Sequence, residues 1–162
     1  MSGIIGDYQL KTGVIGQGST GPSFAVMPSA NLSLSADTHT KMVFNTIIFD
    51  SHGCFDNSTN YRFSPNVPGY YQYTCMMQFS SLTAGDSIMC TVRRDGNSSL
   101  YNNAQGRANG TSDTVVSTLC TYFDGSSADY IEVWAYSNDT NTVSGQGGVS
   151  TAGSILWATK IG

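Results

Sequence analysis

The chain has 162 residues and a formal net charge of −4, a balance that excludes an electrostatic grip on a phosphate backbone, so nucleic acid is not an expected partner. Only 11% of its residues are charged, Glu132 is its one glutamate, and Gly, Ser, Thr and Asn abound. Long amphipathic helices draw on Glu, Lys, Ala and Leu, so this composition points instead to an all-β domain with many turns, large enough to bury a core.

Residues 1–21 read as a segment apart from the head at 22–162. Ser2-Gly3-Ile4-Ile5-Gly6 and Thr12-Gly13-Val14-Ile15-Gly16 are near copies, followed by the flexible run Gln17-Gly18-Ser19-Thr20-Gly21. Such Gly-flanked aliphatic pairs build no core alone and are sticky when exposed. One reading is a disordered leader, since termini fray. The duplication favours the other, an extended anchoring arm. In it Ile4, Ile5, Val14 and Ile15 fill pockets or add strands on another protein, and Gly3, Gly6, Gly13 and Gly16 let the backbone come close. The start lacks the basic and apolar regions of a signal peptide, so synthesis in the cytoplasm is expected. No apolar run reaches the roughly 18 residues of a membrane span, so no membrane partner is expected.

Ser23 to Met27 predicts the first strand of the head, closed by Pro28, with a polar connection from Asn31 to Thr40 and a second strand from Lys41 to Asp50. A polar turn at Asp56-Asn57-Ser58 leads to a short strand ending at Phe63, and Pro65 and Pro68 bound a corner before a long strand from Gly69 to Phe79. There Tyr71, Tyr73, Cys75, Met77 and Phe79 share one face and Tyr70, Gln72, Thr74, Met76 and Gln78 the other, the period of two of a sheet with one apolar side. The first face is the core side. Asp86 to Arg94 gives another strand, ending in the hairpin dipeptide Asp95-Gly96. Leu100 to Gly110 reads as a short strand with loops. Thr114 to Phe123 and Tyr130 to Tyr136 are strands joined through Asp124-Gly125-Ser126-Ser127, and a Gly- and Ser-rich loop from Asn138 to Gly153 precedes the last strand, Thr151 to Ile161. About 8–10 short strands at such intervals make a sandwich or barrel.

Phe44, Asp50, Phe55, Phe63, Gly69, Tyr71 and Tyr73 follow a spacing that resembles the signature of the complement C-one-q globular head, which belongs with the tumour necrosis factor jelly rolls. The run Tyr130 to Tyr136 and the apolar last strand are similar to that head's closing strands. The likeness spans nearly all of 23–162. It departs at the gap between Phe55 and Phe63, one residue longer than usual, and at Cys75, where an aromatic is typical. The resemblance implies a jelly-roll β-sandwich of antiparallel strands that forms threefold trimers, each subunit's inner sheet against the axis and both termini at the base. Phe44, Phe55, Phe63, Tyr71, Tyr73 and Phe79 then form the core. Tyr70, Gln72, Thr74 and Met76 become the trimer interface, a mixed polar and apolar strip that suits a subunit contact. The opening segment also resembles the start of many bacteriophage tail-fibre and virion proteins.

No catalytic constellation is expected. Asp50, Ser51 and His52 hold the residue types of a hydrolytic triad, but neighbours on an extended chain point to opposite faces. His39 and His52 read as solvated surface histidines. His52 with Cys54 lacks the spacing of a zinc site, and Asp50, Asp56, Asp124, Asp129 and Asp139 lie near turns without a calcium-ligand pattern, so turn aspartates are the expectation and no metal or other cofactor is assigned. Cys54, Cys75, Cys90 and Cys120 could pair twice by count, yet their irregular spacing favours buried free thiols. Gly145-Gln146-Gly147-Gly148 has no following Lys to cradle a phosphate. Asn31, Asn57, Asn97, Asn109 and Asn138 stand in glycosylation triplets at the density chance gives such a composition.

The expectation is therefore a non-enzymatic bacteriophage virion protein, a homotrimeric surface knob whose arm fixes it to capsid proteins, as a decoration protein or head fibre, or to the tail. The alternative is a tail-fibre head for host attachment, in which Tyr101, Asn102, Asn103 and Tyr136 engage a host-surface glycan or protein.

Overall fold

The structure, a computed structural model, describes residues 21–96, 102–145 and 153–161. The arm, with Gly3, Ile4, Ile5, Gly6, Gly13, Val14, Ile15 and Gly16, lies outside the described residues, as does Tyr101.

Among the described residues the fold is all β, a sandwich of two antiparallel sheets. The strands are β1 (Ser23–Met27), β2 (Leu32–Leu34), β3 (Thr40–Lys41), β4 (Thr46–Asp50), β5 (Phe55–Asp56), β6 (Arg62–Phe63), β7 (Gly69–Ser80), β8 (Ser87–Arg94), β9 (Asn102–Arg107), β10 (Ser112–Phe123), β11 (Ile131–Ser137), β12 (Asn141–Val143) and β13 (Ile155–Lys160). In the first sheet β10 and β13 flank β7, β1 follows β13, and β4 pairs beyond β1. β12 meets the far end of β7 and carries β2 on its other side. The second sheet runs β5-β6-β11-β8-β9, with β3 beside β11.

The alternation in β7 explains the sandwich: Tyr71, Tyr73, Cys75, Met77 and Phe79 are all buried, while Tyr70 and Gln72 on the other parity are exposed. Phe44, Phe55 and Phe63 are buried with them. One end of the core is a nest of rings in which Phe63 meets Phe24 at 4.7 Å, Phe123 at 5.4 Å and Tyr71 at 5.5 Å. Edge-to-face pairs such as Tyr71 with Phe123, at 90°, place a positive ring edge against a negative face. The buried Tyr71 hydroxyl donates to the Val67 carbonyl at 2.8 Å, and burial pushes its pKa up to about 12.

Asp95 and Gly96 both have positive φ, 55° and 68°, as the hairpin dipeptide predicts, and a Cβ at Gly96 would stand 2.7 Å from the Tyr130 hydroxyl. Three sequence expectations are corrected. Lys41 to Asp50 is two strands: β3 belongs to the second sheet and β4 to the first, because Met42 and Phe44 between them turn into the core while the chain changes sheet. The polar connection from Asn31 to Thr40 holds β2, and the Gly- and Ser-rich loop from Asn138 holds β12. These two pair with each other, Leu34 opposite Asn141 and Leu32 opposite Val143. Three residues are too few to show a period, so partnership alone makes them strands.

Candidate functional site

The sheet face of β7 that turns away from the core carries Tyr70, Gln72, Thr74 and Met76, and the register extends it across the whole first sheet. Tyr70 lies opposite Tyr122, with rings 5.4 Å apart. Gln72 sits between Cys120 and Thr159. Thr74 sits between Thr118, hydroxyl to hydroxyl at 3.2 Å, and Trp157, which is followed by Ala25 and Phe49. Met76 lies between Val116 and Ile155. Exposure reaches 55% at Tyr70, 54% at Val116 and 39% at Trp157. Isolated exposed apolar residues need no explanation; here Tyr70 with Tyr122, Val116 with Met76, and Trp157 share one sheet face with the neutral polar Gln72, Thr74, Thr118 and Thr159 between them. Sequence reasoning placed the four β7 residues here and missed Val116, Tyr122, Trp157 and Phe49. The available signal was that β10 has apolar residues at both parities, Val115 and Leu119 against Val116 and Tyr122.

The outward face of the second sheet has a different chemistry. Arg62, Glu132 and Arg93 stand in one row across β6, β11 and β8, and Lys41, Trp134, Thr91 and Asn103 in the next. Arg62 lies over the Tyr130 ring at 4.0 Å, Arg93 over Trp134 at 4.1 Å, and His39 against Tyr136 at 4.9 Å. Lys41 pairs with Glu132 at 2.5 Å. The Tyr136 hydroxyl donates to Asp37 at 2.8 Å, which raises its pKa. His39 is half-buried rather than solvated; burial, then the Arg93 charge, holds its pKa below the usual imidazole value. Of the residues expected to engage a glycan, Asn103 and Tyr136 lie on this face. Asn102 turns inward instead, donating to the Tyr73 hydroxyl at 3.2 Å and to Ser117 at 3.0 Å.

Asp50, Ser51 and His52 come closer together than strand alternation allows, because β4 ends at Asp50 and the chain bends there. Ser51 Oγ is 2.8 Å from His52 Nδ1. The Asp50 carboxylate faces elsewhere, accepting from the backbone N–H groups of Phe55 at 2.9 Å and Cys54 at 3.1 Å and from the Cys54 thiol at 3.3 Å. Burial alone would raise its pKa, but these donors outweigh it and hold the carboxyl below its ordinary value. Cys54 is pushed up to about 12 by burial and by Asp50 beside it, which keeps it a thiol and a poor nucleophile.

The other aspartates close turns. Asp56 accepts from the backbone N–H groups of Thr59, Ser58 and Asn60 and is held well below the carboxylate range by them. Asp124 accepts from Ser126 N–H at 2.7 Å and is likewise lowered. Asp129 receives Arg94 at 2.7 Å and Asp124 N–H at 2.8 Å, and Asp139 receives Thr140 N–H at 2.6 Å. No group of three or more potential metal ligands occurs among the described residues. All four cysteines are free; Cys54, Cys75 and Cys90 are buried, whereas Cys120 is exposed, a correction that follows from its place on the outward parity of β10.

The fold is the jelly roll of tumour necrosis factor-like proteins, which a phage structural protein shares. Murine APRIL matches at 14% identity with a TM-score of 0.64, over 86% of this chain and 98% of that one. The PRD1 vertex protein P5 matches at 15% identity and 0.62, over 87% and 97%, and the Eiger TNF of S. frugiperda at 8% and 0.59, over 88% and 94%. These likenesses are of fold alone. No family model and no curated protein matches the sequence.

Proposed function

We propose that this chain is a non-enzymatic virion structural protein, a homotrimeric surface knob held to the capsid or tail by the arm at 1–21. The observation that carries the proposal is the outward face of the first sheet, where exposed Tyr70, Tyr122, Val116 and Trp157 and the half-buried Met76 are interspersed with the neutral polar Gln72, Thr74 and Thr118. Its aromatic and Met content, with few charges, is the composition of an interface core. A vertex protein of a phage having the same fold supports the virion setting.

The geometry of the chain ends fits an anchored knob. Lys160 N–H donates to the Pro22 carbonyl at 3.0 Å, so the head's first and last strands begin and end together. A trimer would present three arms from one end, and three weak attachments joined in one body bind far more tightly than one. Light scattering on the purified chain should give three times the monomer mass. Deleting residues 2–16 should leave the assembly at three times the shortened monomer's mass and abolish incorporation into particles. A monomeric wild-type chain would refute the knob, and a deletion variant still found on particles would refute the arm.

A further inference from the structure

A hydrogen-bonded contact between the sheets sets two cysteines against each other in the core. Asn102 belongs to β9 of the second sheet, yet its side chain donates to the Tyr73 hydroxyl of β7 at 3.2 Å and to the Ser117 hydroxyl of β10 at 3.0 Å, both in the first sheet. The register carries that contact to the thiols. Ser117 lies opposite Cys75, which is two residues beyond Tyr73 on the same buried parity of β7. On the other side Asn102 lies opposite Val92, and Cys90, two residues back along β8, lies opposite Ala104, two residues on along β9. Cys75 and Cys90 therefore stand on facing walls of the sandwich, one step from the same contact, and each is 0% exposed.

Their surroundings favour a meeting of the two sulfur atoms. The cross-strand neighbours of Cys90 are both alanine, Ala104 and Ala135, so only methyl groups flank it within its sheet. Its thiol reaches across to Cys75 in a side-chain hydrogen bond. The other two cysteines are placed differently: Cys54 gives its thiol to Asp50, and Cys120 is exposed on the far face of the first sheet.

We propose that Cys75 and Cys90 are a disulfide-forming pair, free in the reduced chain and joined as a bond between the two sheets when the chain folds in the presence of a low-molecular-weight disulfide. The exchange balances. One cysteine thiolate attacks the small disulfide and expels a thiolate; the other cysteine thiolate attacks the mixed disulfide and expels the second. Two protein thiols are oxidised to one S–S bond, the external disulfide is reduced to two thiols, and the two protein protons pass to the departing thiolates. The closed core sets the timing. Burial, together with the neighbouring Cys90, holds the Cys75 thiol well above its ordinary value, so little thiolate forms, and neither sulfur is open to a reagent. The exchange belongs to the chain before the sandwich closes, and the folded protein keeps the state in which it closed.

The test uses the full-length chain carrying Cys120→Ser, so that the exposed thiol makes no links between molecules. It would be unfolded in urea and refolded either with oxidised and reduced glutathione together or with reduced glutathione alone. The oxidising refold should yield a product lighter by two hydrogen atoms, with Cys75 and Cys90 in one linked peptide pair after proteolysis and Cys54 as the thiol left to titrate in urea. Its urea midpoint should be higher than that of the reduced product, because the bond restricts the unfolded chain. Folded, reduced protein given the same glutathione mixture for the same time should keep all its thiols. No core substitution is needed, so a variant that fails to fold cannot obscure the result. A fully reduced product from the oxidising refold, a link that involves Cys54, a linked product with a midpoint no higher than the reduced one, or oxidation of the folded protein as fast as of the refolding chain would overturn the proposal.

Discussion

At the scale of single residues, the carboxylates of this chain act as braces for backbone turns. Asp50 is the most consequential, because it terminates β4 and gathers N–H groups from the segment that enters β5. Asp50→Ala strands those donors and should destabilise the fold by about 2 kcal/mol at neutral pH, read from urea unfolding. The folded-state pKa is lowered, so the carboxylate's contribution is complete above the unfolded-state value and fades as pH falls through the folded one. The gap between variant and wild type should therefore be wide at pH 7 and narrow in strong acid. An equal gap at both would mean that the side chain acts through packing instead. Asp50 was visible in the sequence as part of a spacing pattern, but its role was not: the pattern says where a residue recurs, and only the bend after β4 shows which N–H groups it meets.

At the scale of elements, β7 decides the molecule, since its two parities serve two purposes. Its buried parity was legible from alternation alone; β8, β10, β11 and β13 were legible as strand-forming runs bounded by turn residues, and β1, buried at Phe24, Ala25 and Val26 in succession, as an apolar run closed by Pro28. β2 and β12 were not legible, because each gains its strand character from the other across more than a hundred residues of sequence. The outward parity of β7 was read correctly as a mixed strip, yet the extent of the surface depended on which strands flank it. Val116 lies beside Met76 and is more than half exposed, so Val116→Glu should leave the folded subunit intact and place an unpaired charge in the contact. An uncompensated buried charge costs about 3 kcal/mol or more, so analytical ultracentrifugation should find the variant dissociated at concentrations where the wild type stays assembled. A variant that assembles as well as the wild type would exclude this face as the interface.

At the scale of the whole molecule, the two sheets face outward with different characters: one mixes aromatic and aliphatic side chains with neutral polar ones, the other gathers charges of both signs, Lys41, Arg62 and Arg93 with Asp56 and Glu132. Composition could not reveal that division, because averages over 162 residues conceal which charges share a face. The first sheet also ends in a strand of unusual make-up. Among the described residues β4 is paired on one side only, by β1, and Ile47, Ile48 and Phe49 follow one another along it, all exposed. Proteins that live free in solution protect such a margin with Lys, Pro or a bulge; among the described residues β4 has the bulge, with Ile48 the extra residue opposite the step from Ala25 to Val26, but carries no Lys or Pro. The consequence concerns the lifetime of the unassembled subunit, which becomes a race between incorporation and precipitation through strand-to-strand addition. Ile48→Lys should slow the losing branch, so that the purified protein stays clear at concentrations where the wild type turns turbid. If both cloud at the same concentration, the margin is already shielded.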